Sequence, residues 1–160
     1  MTLFFGKYRG KVEDNTDPML SGRLQVSVPA VLGDATAWAL PCAPFAGSGV
    51  GFFTMPPVGA NVWVEFEGGN PEAAIWSGCF WGLGEFPASL ALPQMKVFKT
   101  DTATVTLSDL PGVGGISIET SDGKKITINA TSIEINNGAG GTIKLMGPKV
   151  SVNDSALEIT

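Results

Sequence analysis

The sequence predicts an all-β fold in two parts: a small closed barrel of five strands, then a ladder of short strands that assembles with copies of itself. From Ile116 to Thr160 apolar residues recur as i, i+2 pairs: Ile116/Ile118, Ile126/Ile128, Ile133/Ile135, Ile143/Leu145, Val150/Val152 and Leu157/Ile159. Pair starts are 10, 7, 10, 7 and 7 residues apart, with Gly, Asn, Asp, Ser and Thr between them. Period-two alternation of β-branched residues between turn formers marks short strands with one apolar face, and the recurrence makes a quasi-repeat. The first half shows alternating runs cut by turns rich in Gly and Pro, and no stretch sustains a helical period.

The ladder is too sparse to stand alone. Its apolar pairs are few beside the backbone entropy of ordering about 45 residues. An open ladder also leaves an apolar face in water and its edges unpaired. Another copy of the segment is the simplest supplier of the missing surface; a sheet packed on the N-terminal half is the other arrangement the pattern allows.

The elements follow in order. Phe4 to Glu13 is strand-like and ends at the turn residues Asp14-Asn15-Thr16-Asp17-Pro18. Gly22 to Pro29 alternates cleanly, placing Leu24, Val26 and Val28 on one face. Ala37 to Cys42 is a third strand, closed by Pro41 and Pro44. A long glycine-rich loop runs from Ala46 to Gly59. Asn61 to Glu67 then turns Val62, Val64 and Phe66 inward. Gly68-Gly69-Asn70-Pro71 is a turn into the fifth strand, Ala73 to Trp81. Five strands in about 80 residues suit a closed barrel of the oligonucleotide/oligosaccharide-binding (OB) type. Leu83 to Lys99, with Pro87 and Pro93, reads as an extended connector, and Val97 to Leu107 as a strand leading towards the repeats.

Charge and composition exclude several classes of function. A net charge of −5 argues against nucleic-acid binding, which needs a basic patch. No apolar run reaches membrane-spanning length, and the first residues lack the layout of a signal peptide, so synthesis in a cytoplasm is expected. Cys42 and Cys79 form no metal or redox motif and sit in apolar contexts, which predicts buried, reduced thiols.

Several stretches, taken together and in order, carry a resemblance. They are Gly22-Arg23-Leu24-Gln25-Val26, Trp38-Ala39, Met55 to Phe66, Gly68-Gly69-Asn70-Pro71 and Ile75-Trp76-Ser77-Gly78. They resemble the barrel domain of central spike proteins from contractile injection machines, the group of phage baseplate assembly protein V and the VgrG proteins of type VI secretion. Lys99-Thr100, Ser108-Asp109, Gly114 to Thr120 and Gly123 to Ile126 resemble the start of the spike's β-helix.

The resemblance implies an OB-fold barrel over residues 1–82, a connector over 83–99 and a trimeric β-helix spike over 100–160. It implies a homotrimer, whose barrels form a collar and whose C-terminal segments wind into an intertwined needle. The twelve residues of the six pairs would then pack about the trimer axis. The collar would dock on a trimeric hub, here a separate polypeptide, and the needle would meet the target membrane only during injection. Assembly would be in the baseplate of a phage tail-like particle, a virion or an extracellular or secretion machine.

Trp63 and Trp76, read as lying on the face opposite the barrel core, are candidates for hub or subunit contact, since exposed aromatics mark interfaces. Some spikes of this group close their tip with a histidine-bound metal ion. This chain has no histidine. Leu157, Ile159 and Thr160 are therefore expected to receive a separate tip protein resembling the PAAR-repeat proteins. The alternative reading is an adhesin: an oligomeric OB-fold module that binds carbohydrate or protein.

Catalytic, cofactor and metal sites are not expected. Without histidine the serines lack a base for a triad. Glu65 and Glu67 could imitate a glycosidase pair, but they read as the solvated side of a half-buried strand. Glu13, Asp14, Asn15 and Asp17 lack calcium-loop spacing and read as an acidic turn. Gly47 to Gly51 lacks the Lys-Ser/Thr of a phosphate loop and reads as a flexible loop.

Overall fold

The computed structural model describes residues 2–87, 92–154 and 156–159. Two compact units divide the chain between Glu85 and Phe86. The first carries β1 (Tyr8–Asp14), β2 (Leu24–Ser27), the helical turn α1 (Pro29–Leu32), β3 (Thr36–Pro41), β4 (Ala46–Gly47), β5 (Val50–Gly51), β6 (Asn61–Phe66) and β7 (Ala74–Cys79).

Five of these strands close a barrel in the order β1-β2-β3-β7-β6 and back to β1. The β3–β7 pairing is parallel, with Leu40 beside Ile75; the other four are antiparallel. Alternate residues point inward, so Val12, Leu24, Val26, Val28, Ala39, Val62, Val64, Phe66 and Ala74 form the core. Gly10 of β1 is also buried: a Cβ there would lie 2.8 Å from the Ser27 carbonyl oxygen and 3.1 Å from Val64 Cγ2. The missing side chain lets β1 approach its neighbours in a narrow barrel.

Several boundaries differ from expectation. β1 begins at Tyr8, because Gly6 adopts a left-handed φ of 92°. Phe4 folds against the core instead, its N–H donating to the Gly69 carbonyl at 2.9 Å and its ring 6.4 Å from that of Phe66. Pro29 starts a single helical turn that ends at Gly33; four residues are too few for a helical period to show. The glycine-rich loop contains the β4–β5 hairpin. Both cysteines are free, as expected, but exposed rather than buried. Cys42 follows β3 and Cys79 ends β7, where the barrel opens into loops.

The second unit is an antiparallel meander of β8 (Met95–Lys99), β9 (Ala103–Ser108), β10 (Gly115–Thr120), β11 (Lys125–Asn129), β12 (Ile133–Asn136), β13 (Thr142–Met146), β14 (Lys149–Val152) and β15 (Leu157–Ile159). β8 falls inside the stretch read as connector, and Val97–Leu107 is two strands rather than one. The Thr100 N–H donates to the Ala103 carbonyl at 2.8 Å, closing a turn between them. Asn129 ends β11 as a side-chain-capped turn, its Oδ1 accepting from the N–H groups of Thr131 and Ser132 at 2.9 Å each. At Gly115 a Cβ would meet the Ile128 carbonyl oxygen at 2.1 Å, so only glycine permits this β10–β11 pairing.

Candidate functional site

Register turns the sequence pairs of the second unit into a surface. Reading across the sheet, Leu107, Ile116, Ile128, Ile133, Leu145, Val150 and Ile159 stand opposite one another in turn, forming one column. Phe98, Val105, Ile118, Ile126, Ile135, Ile143, Val152 and Leu157 form the second. Directly opposed residues share a face, so all twelve predicted axis residues lie side by side on one face. At about 4.8 Å per strand the stripe runs roughly 34 Å across eight strands. In the protomer most of these residues stay open to water, from 38% exposed at Ile116 to 60% at Ile159.

The other face is polar and internally paired. Glu119 meets Lys125 across β10–β11 at 3.3 Å, and Glu134 meets Lys144 across β12–β13 at 3.8 Å. Such exposed pairs contribute little stability but keep that face compatible with solvent. β15 is the last strand in the sheet order, and its Leu157 and Ile159 are exposed. Thr160, the third residue expected to contact a tip protein, lies outside the described residues.

The barrel wall separates the two candidate tryptophans. Trp63 does face outward, its ring centroid 4.6 Å from that of Phe80, and the Arg9 guanidinium lies over both rings at 5.5 and 5.1 Å. Trp76 does not. It pairs with buried Val64, packs against the core, and donates its indole N–H to the Gly22 carbonyl at 3.2 Å. Between Trp76 and Cys79, β7 carries an extra residue relative to β6, so one alternation does not run from Ala73 to Trp81.

The acidic turn proves to be an internal brace, centred on Asp17, that no motif flagged. Its carboxylate is buried and accepts from Arg23 Nη2 at 2.8 Å and Nε at 3.1 Å, and from the Met19 and Ser21 N–H groups at 3.0 and 2.8 Å. The Arg23 guanidinium in turn lies 5.2 Å above the Trp38 ring. Hydrogen bonds from Arg23 foremost, then those from Met19 and Ser21, hold the Asp17 carboxyl well below the usual carboxylate range. A folded-state pKa below the unfolded value adds stability above the unfolded value, near 4, and that stability is lost as pH falls towards the folded one. Barrel unfolding followed by tryptophan fluorescence should therefore ease progressively below about pH 5. D17N should lower the barrel's Tm by several degrees and flatten this acid dependence.

Glu65 is ion-paired with Lys7 at 2.7 Å on the outer wall, and Glu67 opens a 3-10 turn. Among the described residues no three His, Cys, Asp or Glu side chains gather to hold a metal, and no helix is long and apolar enough to cross a membrane.

Two family models match the chain. Residues 8–81 match the type VI secretion system/phage-baseplate injector OB domain, and residues 95–158 match the phage baseplate V C-terminal trimerisation domain. No curated protein matches. The first match spans the closed barrel, and the second begins at β8 and ends within β15.

Proposed function

Since the chain belongs to the phage baseplate V family, we propose that it is the structural central spike of a contractile, tail-like injection machine. One observation carries this reading: the two unbroken apolar columns left open on a sheet that matches a trimerisation domain. Three copies turning these columns towards a common axis bury them together and leave the ion-paired faces outside. The product is a stiff trimeric β-helix needle without a catalytic role. It concentrates the machine's force on a small area of the target envelope.

The three barrels form the collar, where the outward patch of Trp63 and Arg9 is suited to contact a separate trimeric hub protein. Hub contact expected at Trp76 is assigned to Trp63 alone, since Trp76 packs against the core. Imaging of the native particle tests the role. A spike lies on the axis beneath the tube; density at the periphery would instead favour the adhesin.

Among the described residues no strand pairs with the outer edge of β15, whose Leu157 and Ile159 are exposed. Such an edge is a template for strand addition. A separate PAAR-like tip protein is assigned to it, supplying the point and any metal. Removing residues 156–160 should abolish tip binding while the spike remains trimeric in light scattering. Purified spike should carry no stoichiometric iron or zinc; one ion per trimer would refute the assignment.

A further inference from the structure

Two apolar features lie open to solvent on the barrel. The first is the β4–β5 hairpin, which turns at Ser48-Gly49 with Gly49 at φ 72° and is extended by the Phe52 N–H donating to Phe45 at 3.1 Å. Each of its strands is two residues long, and no other strand joins its sheet among the described residues. A lone two-stranded ribbon is marginal in water. Yet this one exposes Phe45, Val50, Phe52 and Phe53, the last 77% open. No charged residue lies between Asp34 and Glu65.

The second feature is a groove of about 470 Å3 lined chiefly by Pro56, Pro57, Val58, Cys79, Phe80 and Trp81. The one carboxylate at its edge, Glu85, is occupied by its own loop, accepting from the Gly82 N–H at 2.5 Å and from Asn61 Nδ2 at 3.2 Å. The two features sit on different parts of the barrel. Phe53 lies beside Gly22 at the entrance to β2, whereas the groove lies between the start of β6 and the end of β7.

A ring of identical subunits needs two different, complementary patches on each, one to give and one to receive. We infer that in the trimer the β4–β5 hairpin of one barrel seats its phenylalanines in the Pro56–Trp81 groove of the next, closing the collar head to tail. This rests on the trimeric reading above. The trimerisation match starts at residue 95, shortly after Glu85, so a short tether keeps the three barrels at high effective concentration. Each chain carries a net charge of −5, and a hairpin without charges meeting a groove whose one carboxylate, Glu85, is already hydrogen-bonded lets the three meet without opposing carboxylates. Phenyl rings against proline and tryptophan are the kind of contact that dominates interface cores.

Cys79 makes the contact directly testable. In full-length C42S/F53C protein, mild oxidation with diamide should link position 53 of one chain to Cys79 of the next. Most of the protein should then run as three covalently joined chains on a non-reducing gel, and C79S should abolish the link. F52C provides a second probe if F53C misfolds. Light scattering on the same samples separates the possible failures. Trimers that form no link with either probe, or only a link within one chain, overturn this contact alone. Monomers overturn the trimeric reading and this inference with it.

Discussion

Ile133→Asp should turn the trimer into monomers, with light scattering giving a third of the wild-type mass at concentrations where the wild type is fully assembled. Ile133 sits mid-column between Ile128 and Leu145. Assembly would bring three carboxylates into an apolar interior beside one another, at a cost of several kcal/mol each or with forced protonation. Covering one half-exposed isoleucine, by contrast, contributes only about 1 kcal/mol, so neighbouring side chains have little to set against that penalty. Ile143→Asp should behave alike, since Ile143 holds the same place between Ile135 and Val152 in the other column. Ile133→Val should stay trimeric. An Ile133→Asp protein that assembled normally would show that this face points away from the axis.

Gly10→Val should strongly destabilise the barrel, lowering its Tm by many degrees, and spare the sheet. The added side chain would push into the Ser27 carbonyl, Val64 and Val28, with its Cβ at 2.8, 3.1 and 3.3 Å before its methyl groups are counted. Overpacking of this kind typically costs about 1–3 kcal/mol, and more where a backbone carbonyl must move. A domain stable by about 5–15 kcal/mol loses a large share of that. Gly10→Ala should cost less but still lower the Tm. All four tryptophans lie in the first unit, at positions 38, 63, 76 and 81, so their fluorescence reports the barrel alone. A variant with wild-type tryptophan emission and Tm would show that β1 has more room than the packing around Gly10 indicates. Retained trimer mass beside lost barrel fluorescence would show the two units folding separately.

What the sequence determined by itself was which residues share a face. The period of two is a property of the extended backbone, so Val62, Val64 and Phe66, or Ile126 and Ile128, declare a common side without any partner strand. The all-β class, the barrel's five strands and the six apolar pairs of the ladder were legible for that reason, whereas Phe98, Val105 and Leu107 joined the columns only through strand pairing. So was the resemblance to baseplate spikes, which rests on ordered short stretches rather than on any one residue.

Tertiary structure decided what depends on two distant segments meeting. Register alone aligned the isoleucine pairs into continuous columns; a shift by one residue anywhere would have broken them. Pairing with β6 placed Trp76 inward, in phase with buried Ala74 two residues earlier, and the bulge that breaks the alternation of β7 falls only after it, between Trp76 and Cys79. Asp17 became a buried brace only when β2 brought Arg23 back to it, and no spacing rule describes a carboxylate that satisfies its own loop. The exposure of Cys42 and Cys79 likewise follows from where strands end in space, since an apolar neighbourhood along the chain says nothing about what covers a side chain in the fold.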